Sequence, residues 1–342
     1  MKKITLAGLI FTQLLILSCS DAIDSPLSNI HLSEHVLNNY FVTALAFDSQ
    51  GTAWLGTFNQ GLIKYDGSIS VYNKANSTLP DSMVIWDIEI DKSDNVWIGS
   101  DKGLIKYDRS RFFLFNKKNA PMVTDNVFTL SVTNDNIIWF SSCMFREGGI
   151  MNYDGVKWNT FTPQNSLLPG SLINDIAIDK QNNAWVTVNE GVTSCSIVRI
   201  TGNQIQVFGE KEIGFKPYYF GHIVIGFESR IYANIDYTLS SSMNITRPNI
   251  ITYDGKSWKE IKPVDSNGNS LGLVDEIAVD LSGNLWASTS KKGLVAYDGN
   301  QWFYDAKMFS IHSGIFDIAV DRSNNVWVAS GEGVYIIKHN SL

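Results

Sequence analysis

The chain has 342 residues, of which 44% are hydrophobic, and its 34 acidic and 27 basic side chains give a net charge of −7. An acidic chain without basic clusters lacks the charge pattern that binding to nucleic acid or to anionic lipid requires, so both partners are excluded. The length fits one large all-β domain better than it fits two separate domains.

The first 26 residues resemble the start of a bacterial lipoprotein. Lys2 and Lys3 precede an apolar run over 4–17, which is too short to span a bilayer but suits a secretory signal. The run ends just before Cys19, in a pattern like the lipobox whose Cys becomes the lipid-modified first residue. The sequence predicts a signal peptide over 1–18, lipid attachment at Cys19 and a tether over 19–26. The alternative is an ordinary signal peptide with a chance Cys.

A repeated unit organises the rest of the chain, over 27–342. Each unit has a large aromatic residue, and successive ones lie 41 to 54 residues apart: Trp54, Trp97, Trp139, Trp185, Tyr232, Trp286 and Trp327. Six residues before the aromatic stands an Asp in five of the seven copies: Asp48, Asp91, Asp179, Asp280 and Asp321. Gly, Asn, Ser and Asp fill the space between, so a tight turn joins two strands there. Units of this length with a Trp signature are typical of propeller blades.

Four short strands fit into each unit. Along the first strand, large apolar residues alternate with small ones, as expected where blades converge on an axis. The last copy ends after its third strand, at Ile337, while residues 27–33 occupy the offset of a fourth strand. We therefore predict an all-β, seven-bladed β-propeller with four-stranded antiparallel blades and a ring closed by an N-terminal strand, which removes an open sheet edge.

The first strands of the seven units are expected to start around one end of the axis. Five of these starts are ionisable: Asp87, Asp175, His222, Glu276 and Asp317. This predicts an acidic mouth that suits a hydroxyl-rich ligand or a cation, including a divalent metal. The alternative is that each Asp caps a local turn. Trp86, Tyr219 and Tyr237 lie nearby and could stack on sugar faces or pack between blades; no cofactor is predicted.

The loops between the second and third strands are lengthened in the third, fourth and fifth units only. They should emerge on the same face as the mouth, where neighbouring long loops predict a raised binding rim; neutral variation of surface loops is the alternative. Cys143 and Cys195 fall near two of these loops, and a secreted protein meets oxidising conditions. They are candidates for a disulfide, although the sequence does not set the distance between them.

The unit over 91–108, Asp-x-x-x-Asn-x-Trp-Ile-Gly-Ser-x-x-Gly-Leu-x-x-Tyr-Asp, resembles the two-component regulator propeller repeat. Similar copies lie over 48–66, 280–298 and 321–337, and the resemblance covers essentially all of 27–342. The best-known members of that family are periplasmic sensor parts of hybrid histidine kinases, often tuned to glycans. The resemblance therefore implies a propeller that binds a ligand or a partner, with no family catalytic residue to transfer. No transmembrane helix, immunoglobulin-like domain or kinase follows the ring in this sequence, so we expect no signalling by the chain itself.

These observations lead to one main hypothesis and two alternatives. The main hypothesis is a lipid-anchored propeller of the bacterial envelope, on either side of the outer membrane, which binds a glycan or a protein partner on its long-loop face without catalysis. The membrane is contacted only through the lipid. The first alternative is a lyase or hydrolase, similar in architecture to streptogramin lyases, in which His222 or His312 works with the acidic mouth. The second is a structural subunit of an outer-membrane assembly.

Overall fold

The structure, a computed structural model, describes residues 30–144, 147–190, 195–217, 219–235, 250–304 and 314–339. Within these ranges the chain forms 28 strands in seven four-stranded antiparallel sheets. The first strands of neighbouring sheets contact each other in sequence around an axis, and the last of them contacts the first. The predicted seven-bladed propeller is therefore confirmed.

Blades 1 to 6 each consist of four consecutive strands, and blade 7 combines the last three strands with the first. The strands of each blade are given from the axis outward. Blade 1 contains β2 (Val42–Phe47), β3 (Ala53–Thr57), β4 (Leu62–Tyr65) and β5 (Ile69–Tyr72). Blade 2 contains β6 (Ile85–Ile90), β7 (Val96–Ser100), β8 (Gly103–Tyr107) and β9 (Phe112–Phe115). Blades 3 and 4 contain β10 (Leu130–Val132), β11 (Ile138–Met144), β12 (Glu147–Tyr153) and β13 (Trp158–Phe161), then β14 (Leu172–Ile178), β15 (Ala184–Asn189), β16 (Cys195–Thr201) and β17 (Gln204–Phe208). Blades 5 and 6 contain β18 (Phe220–Ile225), β19 (Ile231–Ile235), β20 (Ile250–Tyr253) and β21 (Trp258–Ile261), then β22 (Val274–Val279), β23 (Leu285–Thr289), β24 (Gly293–Tyr297) and β25 (Trp302–Phe303). Blade 7 contains β26 (Ile315–Val320), β27 (Val326–Ser330), β28 (Gly333–His339) and β1 (Ile30–Val36).

Among the described residues, helical structure is limited to one turn of α-helix, α1 (Glu210–Ile213), and one 3₁₀ turn (Phe227–Ser229). In the part of the chain that the structure describes, no helix is long and apolar enough to cross a membrane. The predicted signal peptide, Cys19 and the tether lie outside the described residues.

The N-terminal strand closes the ring as predicted. Strand β1 pairs antiparallel with β28, from Ile30 opposite His339 to Val36 opposite Val334. The His35 ring stacks on Tyr335 with a centroid separation of 4.1 Å. The sheet of blade 7 is thus built from both ends of the chain, so the last blade cannot separate from the first without breaking this pairing.

The spacing of six residues in the repeat is explained by one buried carboxylate. Asp91 accepts hydrogen bonds at Oδ1 from the backbone N–H groups of Ser93 and Asn95, both at 2.9 Å. Its Oδ2 accepts from the indole Nε1 of Trp97 at 2.9 Å. The same indole bond, at 2.9–3.0 Å, recurs in every other copy that has the Asp: Asp48–Trp54, Asp179–Trp185, Asp280–Trp286 and Asp321–Trp327. The Asp therefore fixes the turn and orients the Trp at once.

Close packing between blades explains the small residue that stands two positions after the Trp. A Cβ atom on Gly56 would lie 2.4 Å from Cγ2 of Ile85, and one on Gly99 would lie 2.8 Å from the carbonyl oxygen of Val127. Both contacts are with the next blade. A larger residue at either site would push neighbouring blades apart, in a core that has no room for extra atoms.

The lengthened loops of the third, fourth and fifth units are only partly described, because residues 145–146, 191–194 and 236–249 fall outside the described ranges. In blade 3 the pairing of β11 with β12 extends to Met144 opposite Glu147. The extra residues of this unit therefore lengthen the hairpin strands instead of forming a long loop, which corrects the prediction for blade 3.

The predicted disulfide is not formed, because Cys143 and Cys195 are both free and buried. They belong to different hydrophobic clusters, Cys143 between blades 3 and 4 and Cys195 between blades 4 and 5. Burial raises the pKa of both thiols, to about 12 for Cys195. Both side chains therefore act as small apolar core residues.

Candidate functional site

The first strands of all seven blades surround a central channel of about 600 Å³. Six of the predicted site residues line it: Trp86, Asp87, Asp175, His222, Glu276 and Asp317. We call the end of the channel at these residues the mouth. Tyr219 lines a separate cavity beside it, whereas Tyr237 and His312 lie outside the described residues.

His222 is held between two carboxylates from the blades on either side. Its Nε2 lies 2.9 Å from Oε1 of Glu276 in blade 6, and its Nδ1 lies 3.5 Å from Oδ2 of Asp175 in blade 4. Burial alone would lower the pKa of His222, but the charges of Glu276 and Asp175 and the bonds to them outweigh it and raise the pKa well above its usual value. The imidazole is 38% exposed, and it lines both the channel and the neighbouring cavity. The two neighbouring carboxylates therefore favour the protonated, positively charged form of the imidazole.

Three aspartates of the mouth each bind the first strand of the following blade. Oδ2 of Asp87 accepts from the backbone N–H of Leu130 at 2.7 Å. Asp175 accepts likewise from Ile223 at 2.8 Å. Asp317, which precedes blade 1 in the ring, accepts from Leu45 at 2.6 Å.

Asp87 and Asp175 also accept from the N–H of their own next residue, at 2.7 and 2.8 Å. The local capping role considered from the sequence is therefore present for these two, and bonds between blades accompany it. Burial, reinforced by the charge of Asp175, raises the pKa of Asp87 to about 7. Burial and the charges of Glu276 and Asp87 raise the pKa of Asp317 well above its usual value.

Glu89 is a further ionisable residue of the channel that site prediction from the sequence missed. It lies two residues after Asp87 on the same strand face, at a position occupied in the other blades by small or apolar residues: Ala46, Ser131, Ala177, Val224, Ala278 and Ala319. Burial, followed by the charges of Asp87 and Asp317, raises its pKa to about 8. The signal was available in the sequence, since Glu89 interrupts an otherwise small and apolar position.

An aromatic arc borders the mouth on the side away from His222. It consists of Trp86, Phe128 and Phe316, which belong to blades 2, 3 and 7 and all line the channel. The rings of Trp86 and Phe128 lie 5.6 Å apart, and Trp86 and Phe316 are 36% and 40% exposed. Phe41 extends the arc across blade 1, with its ring 4.9 Å from that of Phe316. The mouth thus combines aromatic rings over blades 7 and 1–3 with ionisable groups that are spread over blades 2 and 4–7.

A β-bulge explains why two arc residues point into the mouth. The register of the first strand against the second shifts between Ile85 and Asp87 in blade 2, and between Ile315 and Asp317 in blade 7. The residue skipped is Trp86 in one case and Phe316 in the other. Bulges interrupt the alternation of a strand and redirect a side chain. Regular alternation therefore could not indicate Phe316, and sequence reasoning also missed Phe128.

In the described ranges, no group of three or more His, Cys, Asp or Glu side chains is arranged to hold a metal ion. The divalent cation suggested for the acidic mouth therefore has no site among these residues. What the mouth offers instead is hydrogen bonding, charge and flat aromatic surface.

Comparisons with known proteins agree with the repeat and the fold. The family model described as "Two component regulator propeller" matches residues 36–59, which span the end of β1 to the turn after β3. A search of curated protein sequences finds no significant match.

Solved structures with a similar fold include the extracellular domain of a two component system and a lyase. The extracellular domain of the putative hybrid two component system BT4673 from B. thetaiotaomicron is 17% identical, with a TM-score of 0.67 over 92% of this chain; the chain spans 40% of that structure. A catalytically inactive virginiamycin B lyase from Staphylococcus aureus, solved with quinupristin, is 14% identical, with a TM-score of 0.68 over 90% of this chain and 98% of that one. PorZ of Porphyromonas gingivalis, described as a surface component of the type-IX secretion system, is 17% identical, with a TM-score of 0.59 over 86% of this chain and 46% of that one.

At these identities the likeness shows the fold alone, and sensing and catalytic proteins share it. Residues 36–59 match the two-component regulator propeller repeat, and the seven-bladed fold of the chain is similar to part of the extracellular domain of the hybrid two component system BT4673.

Proposed function

We propose that this chain is a lipid-anchored propeller of the bacterial envelope that binds a neutral glycan at the mouth of its channel, without catalysis. The observation that carries the proposal is the combination of an aromatic arc with ionisable and hydrogen-bonding groups around one cavity of about 600 Å³. This volume lies within the range of roughly 300–1,000 Å³ that is usual for ligand sites. The aromatic rings offer flat apolar surface to the faces of sugar rings, and the carboxylates accept hydrogen bonds from hydroxyl groups.

Two carboxyl oxygens of the mouth support binding of hydroxyl groups, because a carboxyl group accepts a hydrogen bond when it is ionised and can donate one when it is protonated. Oε1 of Glu276 is engaged by His222, and Oδ2 of Asp317 by the N–H of Leu45. The second oxygen of each carboxyl group, Oε2 and Oδ1, has no hydrogen-bond donor among the described residues. Both groups belong to neighbouring blades and line the same channel, so together they could bind adjacent hydroxyls of one sugar.

The candidate lyase activity is favoured by one observation, the His222 imidazole between two carboxylates. The same geometry argues against a general base, because both ring nitrogens face a carboxylate oxygen and the protonated imidazole, which this arrangement favours, has no lone pair with which to accept a proton. His222 is better suited to hold Glu276 and Asp175 in place. We therefore assign it a positioning role in ligand binding.

The proposal is tested with the mature protein on an array of neutral and acidic glycans, followed by titration of the best ligand. Trp86→Ala should weaken binding about tenfold by removing a stacking surface. Phe227→Ala is the matched control, because Phe227 is 57% exposed and lies in the turn at the opposite face. Its affinity should stay at the wild-type value.

Three results would overturn the proposal. If no glycan on the array binds, the proposed glycan-binding function is wrong. Capture of an envelope protein that Trp86→Ala abolishes would indicate a protein-binding mouth instead. Turnover of glycans or lactones that is lost in His222→Ala would indicate the lyase.

A further inference from the structure

A second cavity of about 330 Å³ opens beside the mouth and is lined by residues of blades 3 to 6. We call it the side pocket. It shares Phe128, Asn174 and His222 with the channel, so the two cavities are contiguous. The remaining lining residues are Leu172, Ile173, Tyr219, Gly221, Asn234 and Asp275. A ligand that fills the mouth on the side of His222 would therefore reach the side pocket directly.

The polar walls of the side pocket are fixed by the protein itself. The Tyr219 hydroxyl donates to Oδ1 of Asn174 at 3.1 Å, and Nδ2 of Asn174 donates to the carbonyl of Phe220 at 2.7 Å. Asn234 donates through Nδ2 to the carbonyls of Val274 and Asp275, at 3.1 and 2.7 Å. Side chains that are already ordered cost little additional entropy when a ligand binds.

The free surface of the side pocket is mainly aromatic and aliphatic. Tyr219 and Phe128 supply rings, and Leu172 and Ile173 supply apolar atoms. Because the amide groups of Asn174 and Asn234 are engaged, shape and stacking dominate recognition here. The 330 Å³ is near the lower end of the range of roughly 300–1,000 Å³ for ligand sites, which suits one ring and not a long chain.

We propose that the side pocket is a second subsite, which takes the second ring of a neutral oligosaccharide whose first ring lies in the mouth. This inference rests on the proposed function. The ligand class is neutral because Asp275 lines the side pocket and Asp175 and Glu276 flank His222, which lines both cavities, so an anionic sugar would meet more negative than positive charge there. The shortest ligand that uses the whole site is a disaccharide.

The experiment measures affinities of methyl glucoside, methyl galactoside, cellobiose, maltose, lactose and a uronic-acid disaccharide by ligand-observed NMR and calorimetry. In the wild type, the preferred neutral disaccharide should bind roughly tenfold more tightly than its methyl monosaccharide, and the acidic one should not bind. Tyr219→Ala should remove this tenfold gain, so that the disaccharide binds no more tightly than its methyl monosaccharide. Tyr219→Phe, which keeps the ring, should retain most of the gain. Tyr304→Ala is the control, since Tyr304 is 40% exposed and lines neither cavity.

The outcomes separate the two proposals. Equal affinity for the monosaccharide and the disaccharide, or an equal loss of both in Tyr219→Ala, would overturn the second subsite and leave the mouth intact. Tight binding of the acidic disaccharide would overturn the neutral ligand class. No binding of any saccharide, or affinity that Trp86→Ala leaves unchanged, would overturn the glycan mouth and the second subsite with it.

Discussion

Replacing Glu89 by Gln should stabilise the protein at alkaline pH and have little effect in acid. The pKa of Glu89 is raised from 4.5 to about 8 in the folded state, because the carboxylate would be buried beside Asp87 and Asp317. Between these two values the folded protein keeps a proton that the unfolded chain has lost. The free energy of unfolding of the wild type therefore falls as pH rises from about 4.5 to about 8.

The size of the effect follows from the shift. Each pKa unit corresponds to about 1.4 kcal/mol, so a lone group with this shift would cost the folded state about 5 kcal/mol above pH 8. The ionisations of Glu89, Asp87 and Asp317 are coupled, because protonation of one carboxyl group removes a negative charge that raises the pKa of the other two. We therefore expect Glu89→Gln, which has the same shape and no charge, to exceed the wild type by ~2–3 kcal/mol at about pH 9.

Urea denaturation at about pH 5, 7 and 9, followed by the fluorescence of the ten tryptophans, measures this difference. Glu260→Gln is the control, because Glu260 is exposed on the outer strand β21 and should show no alkaline gain. A difference between Glu89→Gln and wild type that is the same at all three pH values would refute the electrostatic reasoning. So would a variant less stable than the wild type at pH 9.

Three further predictions concern the turn, the ring closure and the anchor. Asp91→Ala should lower the free energy of unfolding by ~2–4 kcal/mol in urea melts, because the Trp97 indole and two backbone N–H groups lose their acceptor. Asp265→Ala, in a similar but exposed turn without a Trp, should lower it much less. Deleting residues 30–36 should expose the edge of β28 and produce oligomers on size-exclusion chromatography, and a stable monomer would contradict the role of β1. Cys19→Ser should abolish incorporation of labelled fatty acid and move the protein from the membrane to the soluble fraction; unchanged membrane association would contradict the anchor.

The fold could be predicted from the sequence because a single interaction fixes the repeat. The carboxylate of Asp91 accepts hydrogen bonds from both the turn and Trp97. A change in the six-residue distance or in either residue type would therefore lose these bonds and destabilise the blade. Blade 5 keeps the fold with Gly226 and Tyr232 at these positions, where packing of Ile223, Ile231 and Ala233 takes over. The five copies that have both the Asp and the Trp are therefore sufficient to predict the fold.

The site was predicted less completely, for two physical reasons. Positions such as Asp87 and Asp317 follow from counting along the first strand, and they were found. Side chains placed by a β-bulge, such as that of Phe316, do not follow the regular alternation of a strand. The position of a bulge depends on how two strands pair, so it could not be predicted from the sequence. The role of these aspartates in joining neighbouring blades could not be predicted either, because the hydrogen bond from the Leu45 N–H to Asp317 joins residues that are 272 apart in sequence.

The direction of β1 determines how an anchored ring would be oriented. Because β1 runs antiparallel to β28, Ile30 sits at the level of His339, on the face of the Asp–Trp turns, and Val36 sits at the level of the mouth. The preceding residues therefore join the ring on the face opposite the mouth. A lipid attached at Cys19 would therefore connect to the propeller on the face of the Asp–Trp turns and leave the opening of the channel on the other face.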